Sequence, residues 1–197
     1  MSTDEMEEAA RRVLEFARAA LSPQRLGHSL RVAHLSRELC PRFGVEPGRG
    51  YLAGIAHDMM KASGDARLLE FASRDGEPIS ALEREKPALL HGRAAAVLLA
   101  EEFGVEDFSV LEAVRHHTFG APGLDSLGKI VFVADKMEPG RESVPAELRS
   151  RVLSSGLDEM ARLVLEDNLS YLESRGKAIS PLTRAMLAET TNTGVRP

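Results

Sequence analysis

A chain of 197 residues is long enough for one domain with a substantial buried core. Its 25 Lys and Arg against 30 Asp and Glu give a net charge of −5, which argues against a nucleic-acid surface, since such binding rests on cationic contacts to phosphate. With no Trp, 5% aromatic residues and one cysteine, Cys40, the chain can form neither an intramolecular disulfide nor a cysteine zinc site, and its core must be mostly Leu, Val and Ala.

Residues 4–20 read as a first amphipathic helix, acidic at its start and without an apolar signal core. The longest apolar runs, such as Ala94 to Ala100, fall far short of a membrane span, so a cytoplasmic chain is expected. Ser22-Pro23 supplies an N-cap and a first-turn proline, and Gly44 closes the second helix. Pro47-Gly48 precedes a third helix expected to end near Ser63-Gly64. The charged stretch 65–86 should hold two short helical pieces, around Leu68 and Leu82. Pro87 opens a helix running to Phe103-Gly104, and Ser109 with Glu112 suggests a capping box for the helix that ends at His117. After a turn at Gly120, Pro122 and Gly123, Asp125 caps a helix that must stop before Pro139-Gly140. The apolar run Ile130 to Val133 is read as part of that helix, not as a strand. Residues 145–154, 156–175 and 180–190 complete an all-α reading: a helix over 1–20 packed on the domain, a core over 21–145, further helices over 146–190 and a frayed tail over 191–197. Cys40 is expected to be a small buried hydrophobe.

Ionisable residues fall on apolar faces of these helices. His28 lies one turn before Val32, on the stripe continued by Leu35, Leu39 and Phe43, whereas His34 is rotated toward solvent. His57 follows Ala53 by four residues, with Asp58 at the edge of the same face. His91 shares a face with Ala94, Ala95 and Leu98. His117 follows Val110, Ala113 and Val114, and His116 is turned off that face. Asp135 follows Val131 and Phe132. One such histidine is ordinarily a core histidine with a satisfied hydrogen bond. A buried carboxylate, however, needs a cation or strong donors. Four inward histidines and two inward aspartates on five helices need a common account. A shared metal centre gives one, and this ligand chemistry suits iron, manganese, zinc or cobalt.

The doublet His57-Asp58, with His28 before it and His91, His117 and Asp135 after it, resembles the ordered ligands of the HD-domain phosphohydrolases with two metals. Arg25-x-x-His28-Ser29, Ala56-His57-Asp58-x-x-Lys61, Leu90-His91-Gly92, His117-Thr118-x-Gly120 and Ala134-Asp135-x-x-Glu138-Pro139-x-Arg141 resemble more closely the YqeK-type members, across about residues 20–190. The resemblance implies a single-domain helical bundle that cuts diadenosine tetraphosphate symmetrically to two ADP. It also implies a dinuclear centre, typically iron, with manganese, cobalt, magnesium or zinc as alternatives. On this likeness His28, His57 and Asp135 would hold one ion, His91 and His117 the other, and Asp58 would bridge them. A hydroxide shared by the two ions would then attack the second phosphorus.

Arg25, Lys61, Thr118 and Arg141 are expected to contact phosphate oxygens, beside the ligands His28, His91 and His117. Asp58, Lys61 and Arg141 are the residues expected to carry the reaction. The expected partner is a small dinucleoside polyphosphate, without nucleic acid or membrane, and a homodimer is an admissible assembly. The rival readings are another HD enzyme (a nucleotide phosphatase or a phosphodiesterase) and a non-catalytic signalling module. The cyclic di-GMP signature is absent, because Met59, Met60 and Lys61 follow the doublet with no GYP segment downstream.

Overall fold

In the computed structural model residues 1–192 are described. Helix α1 (Thr3–Ala20) begins at a reciprocal cap, in which the Ser2 hydroxyl accepts the Glu5 N–H and the Glu5 carboxylate accepts the Ser2 N–H. Helix α2 (Pro23–Leu39) is capped by the Ser22 hydroxyl, and a 3₁₀ turn over Cys40–Phe43 carries it to Gly44, at φ 70°. Helix α3 (Pro47–Ala56), α4 (Asp65–Ala72), α5 (Ala81–Glu85), α6 (His91–Phe103), α7 (Phe108–His116) and α8 (Ser126–Met137) follow in chain order. Helices α9 (Ala146–Ser154), α10 (Leu157–Ser174) and α11 (Pro181–Asn192) end the described residues, among which there is no strand. The expected frayed tail is helical at 191–192 and otherwise lies outside the described residues. No described helix is long and apolar enough to cross a membrane.

Helices α3 and α8 form the centre. The former packs against α1, α2, α6, α7 and α8, and the latter also against α2, α7 and α10. Both are apolar nearly all round, as a fully surrounded helix must be. Leu52, Ile55, Ile130, Val131, Phe132 and Val133 are completely buried. Cys40 is buried as expected, and burial pushes its thiol up to about 11.

Helices α2 and α3 meet backbone to backbone. A Cβ on Gly54 would lie 2.5 Å from the Cα of Ala33, and one on Gly50 would lie 2.4 Å from Cys40 Sγ. Glycine at these two positions lets His28 on α2 and His57 after α3 approach each other.

Two local expectations are corrected. Helix α3 ends at Ala56, not near Ser63, and the chain continues in tight turns. Met59, Lys61 and Ser63 each donate their N–H to the carbonyl three residues back. At three residues per turn, Asp58 and Lys61 come to lie on one side. The cap of α7 is Asp107, whose carboxylate accepts the Val110 N–H at 3.2 Å, and not Ser109. Asp107 is also paired with Arg49 at 2.5 Å, which fixes it in the capping position.

The charged stretch after α4 is tied down by one buried ion network. Asp75 accepts from Arg93 Nε and Nη2, both at 2.7 Å, and lies 3.3 Å from Arg115. Arg93 also donates to Glu83 and to the Glu77 and Pro78 carbonyls.

Two stability predictions arise here. Gly54→Ala should destabilise the fold by about 1–3 kcal/mol, read from urea unfolding, because the added methyl meets rigid backbone. Burial pushes the Asp75 carboxyl up, but the Arg93 and Glu77 hydrogen bonds and both guanidinium charges outweigh it, so it titrates below its ordinary value. Its stabilisation is therefore complete above about pH 4 and is lost as pH falls through the lower folded value. Asp75→Asn should cost about 3 kcal/mol at pH 7, and the gap from the parent should narrow only in strong acid.

Candidate metal centre

Five helices deliver six side chains to one buried point. His28 comes from the interior of α2, His57 and Asp58 from the end of α3, His91 from the first residue of α6, His117 from the end of α7 and Asp135 from α8. All six are buried. His28 Nε2 and His57 Nε2 lie 3.3 Å apart, and His91 Nε2 and His117 Nε2 lie 3.0 Å apart. Asp58 stands between the two pairs. Its Oδ1 is 3.0 Å from His91 Nε2 and 3.8 Å from His117 Nε2. Its Oδ2 is 3.7 Å from His57 Nε2 and 3.9 Å from His28 Nε2. Asp135 Oδ1 closes the first group, 3.1 Å from His28 Nε2 and 3.8 Å from His57 Nε2. Two sets of atoms, from His28, His57 and Asp58 and from Asp58, His91 and His117, are each compact enough to surround one ion.

The tautomers follow from the outer bonds. His57, His91 and His117 place Nδ1 against the carbonyls of Gly54, Ala88 and Val114, at 2.7, 2.8 and 2.8 Å. A carbonyl only accepts, so each Nδ1 carries the proton and each neutral ring turns the lone pair of Nε2 inward. All three carbonyls stand three residues before their histidine, at a helix end or a 3₁₀ turn where the backbone leaves them free. His28 lies inside α2, where carbonyls are consumed by the helix itself. Its Nδ1 instead donates to Glu138 Oε1 at 3.1 Å.

Inward lone pairs 3.0–3.3 Å apart, interleaved with two carboxylates, repel one another unless a cation lies among them. The donor set therefore fits metal ions, and imidazole with carboxylate is a common transition-metal environment. Burial pushes both carboxyls up, but the charges around them win. For Asp135 the neighbouring Lys136 and Arg141 cations hold it well below the usual range. Burial lowers His57 and His117, which keeps them in the neutral, ligating form.

Cations and one hydroxyl surround this cluster. Arg25 Nη1 donates to Asp58 Oδ2 at 3.0 Å. Arg141 Nη2 donates to Asp135 Oδ1 at 2.7 Å, and its Nε donates to the Asp135 carbonyl. Lys61 Nζ lies 3.2 Å from His91 Nε2, and Thr118 Oγ1 lies 3.3 Å from His117 Nε2. All ten residues singled out in the sequence thus gather in one place. His34 is exposed beside the Tyr51 ring, and His116 pairs with Glu112 at 3.4 Å outside the cluster. Gly120 takes φ 68°, as its turn requires.

The HD domain pattern matches residues 25–140, a span that includes all six clustered side chains. The chain belongs to the HD domain family. It is 28% identical, over 86% of its length and 91% of the relative's, to the Bacillus subtilis (strain 168) protein named symmetrical bis(5'-nucleosyl)-tetraphosphatase. The Halalkalibacterium halodurans protein of the same name is 29% identical over 88% of this chain and 92% of its own. The Staphylococcus aureus one is 32% identical over 64% of each. A Clostridium acetobutylicum crystal structure, described as a predicted HD superfamily hydrolase involved in NAD metabolism, shares the fold. It has a TM-score of 0.86 over 93% of this chain and 97% of that one, at 24% identity.

Two residues beside the cluster had no role assigned from the sequence: Glu138, present there only as part of a motif, and the half-buried Lys136. Glu138 accepts from His28, from Arg31 Nε at 2.5 Å and from the Gly140 N–H at 2.6 Å. Burial pushes its carboxyl up, and these donors pull it below the ordinary value. Lys136 donates to the His117 carbonyl at 2.8 Å and to Asp135 Oδ2 at 3.1 Å, above the Phe132 ring. A lysine between Phe132 and Met137 on a buried helix was the available signal. For Glu138 it was an acid placed directly before a helix-ending proline. Glu138→Gln should weaken metal binding by about 10–100-fold in chelator competition while the circular dichroism spectrum is retained. Unchanged affinity would mean that the Glu138 charge does not support His28.

Proposed function

We propose that this HD domain is a metal-dependent hydrolase that cuts diadenosine tetraphosphate and related dinucleoside polyphosphates symmetrically into two ADP. The observation that carries the reading is Asp58, whose two oxygens each face a separate pair of imidazole nitrogens. That arrangement suits two ions sharing one carboxylate. The names of the curated relatives supply the substrate class.

In this reading His28, His57 and Asp135 hold one ion, His91 and His117 the other, and Asp58 both. Iron is the proposed metal, with manganese, cobalt, magnesium or zinc as alternatives. When bound, such a pair activates water near neutral pH and offsets phosphate charge. The chain's own groups do the remaining work. Arg25 and Arg141 flank the His28 end and bind non-bridging phosphate oxygens, with Arg141 countering the charge that develops during transfer. Lys61 and Thr118 flank the His91–His117 end and donate to the phosphate on that side. Water oxygen forms a bond to the second phosphorus as the bond from that phosphorus to the central bridging oxygen breaks. One ADP takes up the water oxygen, and the other departs with the bridging oxygen. The domain reading goes with this: residues 21–145 carry the reaction, while residues 1–20 and 146–190 brace them. The setting proposed is cytoplasmic.

Incubation of the metal-loaded protein with diadenosine tetraphosphate should yield ADP alone by ion-exchange chromatography, and chelator should stop it. ATP with AMP would reject the symmetrical cut. Faster hydrolysis of mononucleotides or cyclic nucleotides would favour a different HD enzyme. Asp58→Ala should reduce turnover to background and metal content below one ion per chain. Full metal content in that variant would remove the bridging role.

A further inference from the structure

The two ends of the metal centre open onto cavities of opposite character. At the His28 end a cavity of about 250 Å³ is lined by Arg25, Arg31 and Arg141 together with Ser22, Gln24, Glu138 and Gly140, and no apolar side chain faces it. At the other end Thr118 lies 3.3 Å from His117 Nε2 and 3.4 Å from His91 Nε2. The same threonine lines a second cavity of about 500 Å³, between the α5–α6 connection, the turn after α7, and α10 with its link to α11. Leu82, Leu89, Phe119 and Leu172 supply apolar walls, Lys86 and Lys177 supply positive charge, and no carboxylate lines it.

The Asn168 carboxamide also faces this second cavity. It is half-buried and makes no hydrogen bond with any described residue. A free amide offers a donor and an acceptor side by side, the pattern that matches the edge of adenine. Apolar walls around a few polar groups, at this volume, are what a small organic ligand requires. The arginine end, with three guanidinium groups and no apolar wall, has the chemistry for phosphate, whereas the apolar-walled cavity suits a base.

We infer that the substrate is held asymmetrically: one nucleoside enters the cavity beside Thr118, with Asn168 at its base edge, and the other half is held only by its phosphates at the arginine end. This rests on the dinucleotide reading above and adds which half is recognised. The phosphate chain, and not the second base, would then set the register of the symmetrical cut.

The test uses the full chain with Ala178→Trp, which fills the cavity from an exposed position on its rim, and Asn168→Leu, which removes the amide from another element. Thermal melting monitors the fold of both. ADP affinity is measured by calorimetry, independently of turnover, beside KM and kcat for diadenosine tetraphosphate. Each variant should raise KM and weaken ADP binding by about tenfold or more, with kcat little changed. A mixed adenosine–uridine tetraphosphate should be cut about as well as the diadenosine compound. The diuridine compound should be about tenfold poorer, a difference that Asn168→Leu should erase. Wild-type KM and ADP affinity in both variants would overturn the inference while leaving the hydrolase reading intact. So would a mixed substrate as poor as the diuridine one. If the parent makes no ADP but Ala178→Trp still weakens ADP binding, the cavity stands and the hydrolase reading fails. A parent that does not bind millimolar ADP would sink the cavity assignment.

Discussion

One buried carboxylate sets the terms for the whole bundle. Asp58 is almost fully enclosed, and a carboxylate in that position is costly unless positive charge or strong donors surround it. Of its nearest neighbours only Arg25 is a fixed cation; the four imidazoles turn lone pairs, not protons, toward the same space. Packing cannot relieve this, because each ring is fixed by a carbonyl or a carboxylate behind it. Cations at its centre would relieve that repulsion, and metal binding would then be linked to folding. Five helices must end at, or pass, one point within hydrogen-bonding distance of each other. The paths of α2, α3, α6, α7 and α8 follow from that requirement as much as from apolar burial.

The way each imidazole is oriented explains where the helices stop. A histidine inside a helix finds the carbonyls around it already bonded, whereas one just past a helix end finds a free carbonyl three residues back. His57 and His117 take that position after α3 and α7, and His91 takes it after the 3₁₀ turn Pro87–Leu90. His28 is the exception, and its need for an outside acceptor accounts for Glu138, with Arg31 and the Gly140 N–H holding that carboxylate in turn. The early end of α3 therefore has a function: a continuous helix through Ser63 would have consumed the Gly54 carbonyl that orients His57.

The six clustered groups were legible because their chemistry contradicts their position. Histidine and aspartate on faces otherwise made of Ala, Val and Leu mark themselves. The all-helical fold was legible from caps and periodicity: Ser22-Pro23, Asp125 and the glycines 44, 104 and 120 act as they read. What was not legible depends on tertiary neighbours. Between Ala56 and Gly64 nothing in the residue types breaks a helix, since Met59 and Met60 are apolar and bury well. Asp107 and Ser109 are both good caps by residue type, and only the Arg49 contact selects the first. The Asp75–Arg93 network joins positions 18 residues apart in a stretch that reads as solvated charge. The second cavity joins the α5–α6 connection, the turn after α7 and α10 with its link to α11, segments far apart in sequence.

Rigidity and variability are divided in space. The clustered side chains ride on helices whose backbones touch, as at Gly54 against Ala33, or on turns locked by carbonyl bonds. Such elements are the rigid kind on which a preorganised site is built. The cavity walls come instead from connections: Lys86 and Leu89 before α6, Phe119 after α7, Lys177 and Ala178 before α11. Substitution in those segments changes what fits beside Thr118 without moving an imidazole. The same scaffold can therefore keep the cluster fixed while the cavity beside it varies. On the inference above, the identity of the nucleoside would be set by α10 and the link to α11, at the opposite end of the cluster from the arginines proposed to hold the phosphates.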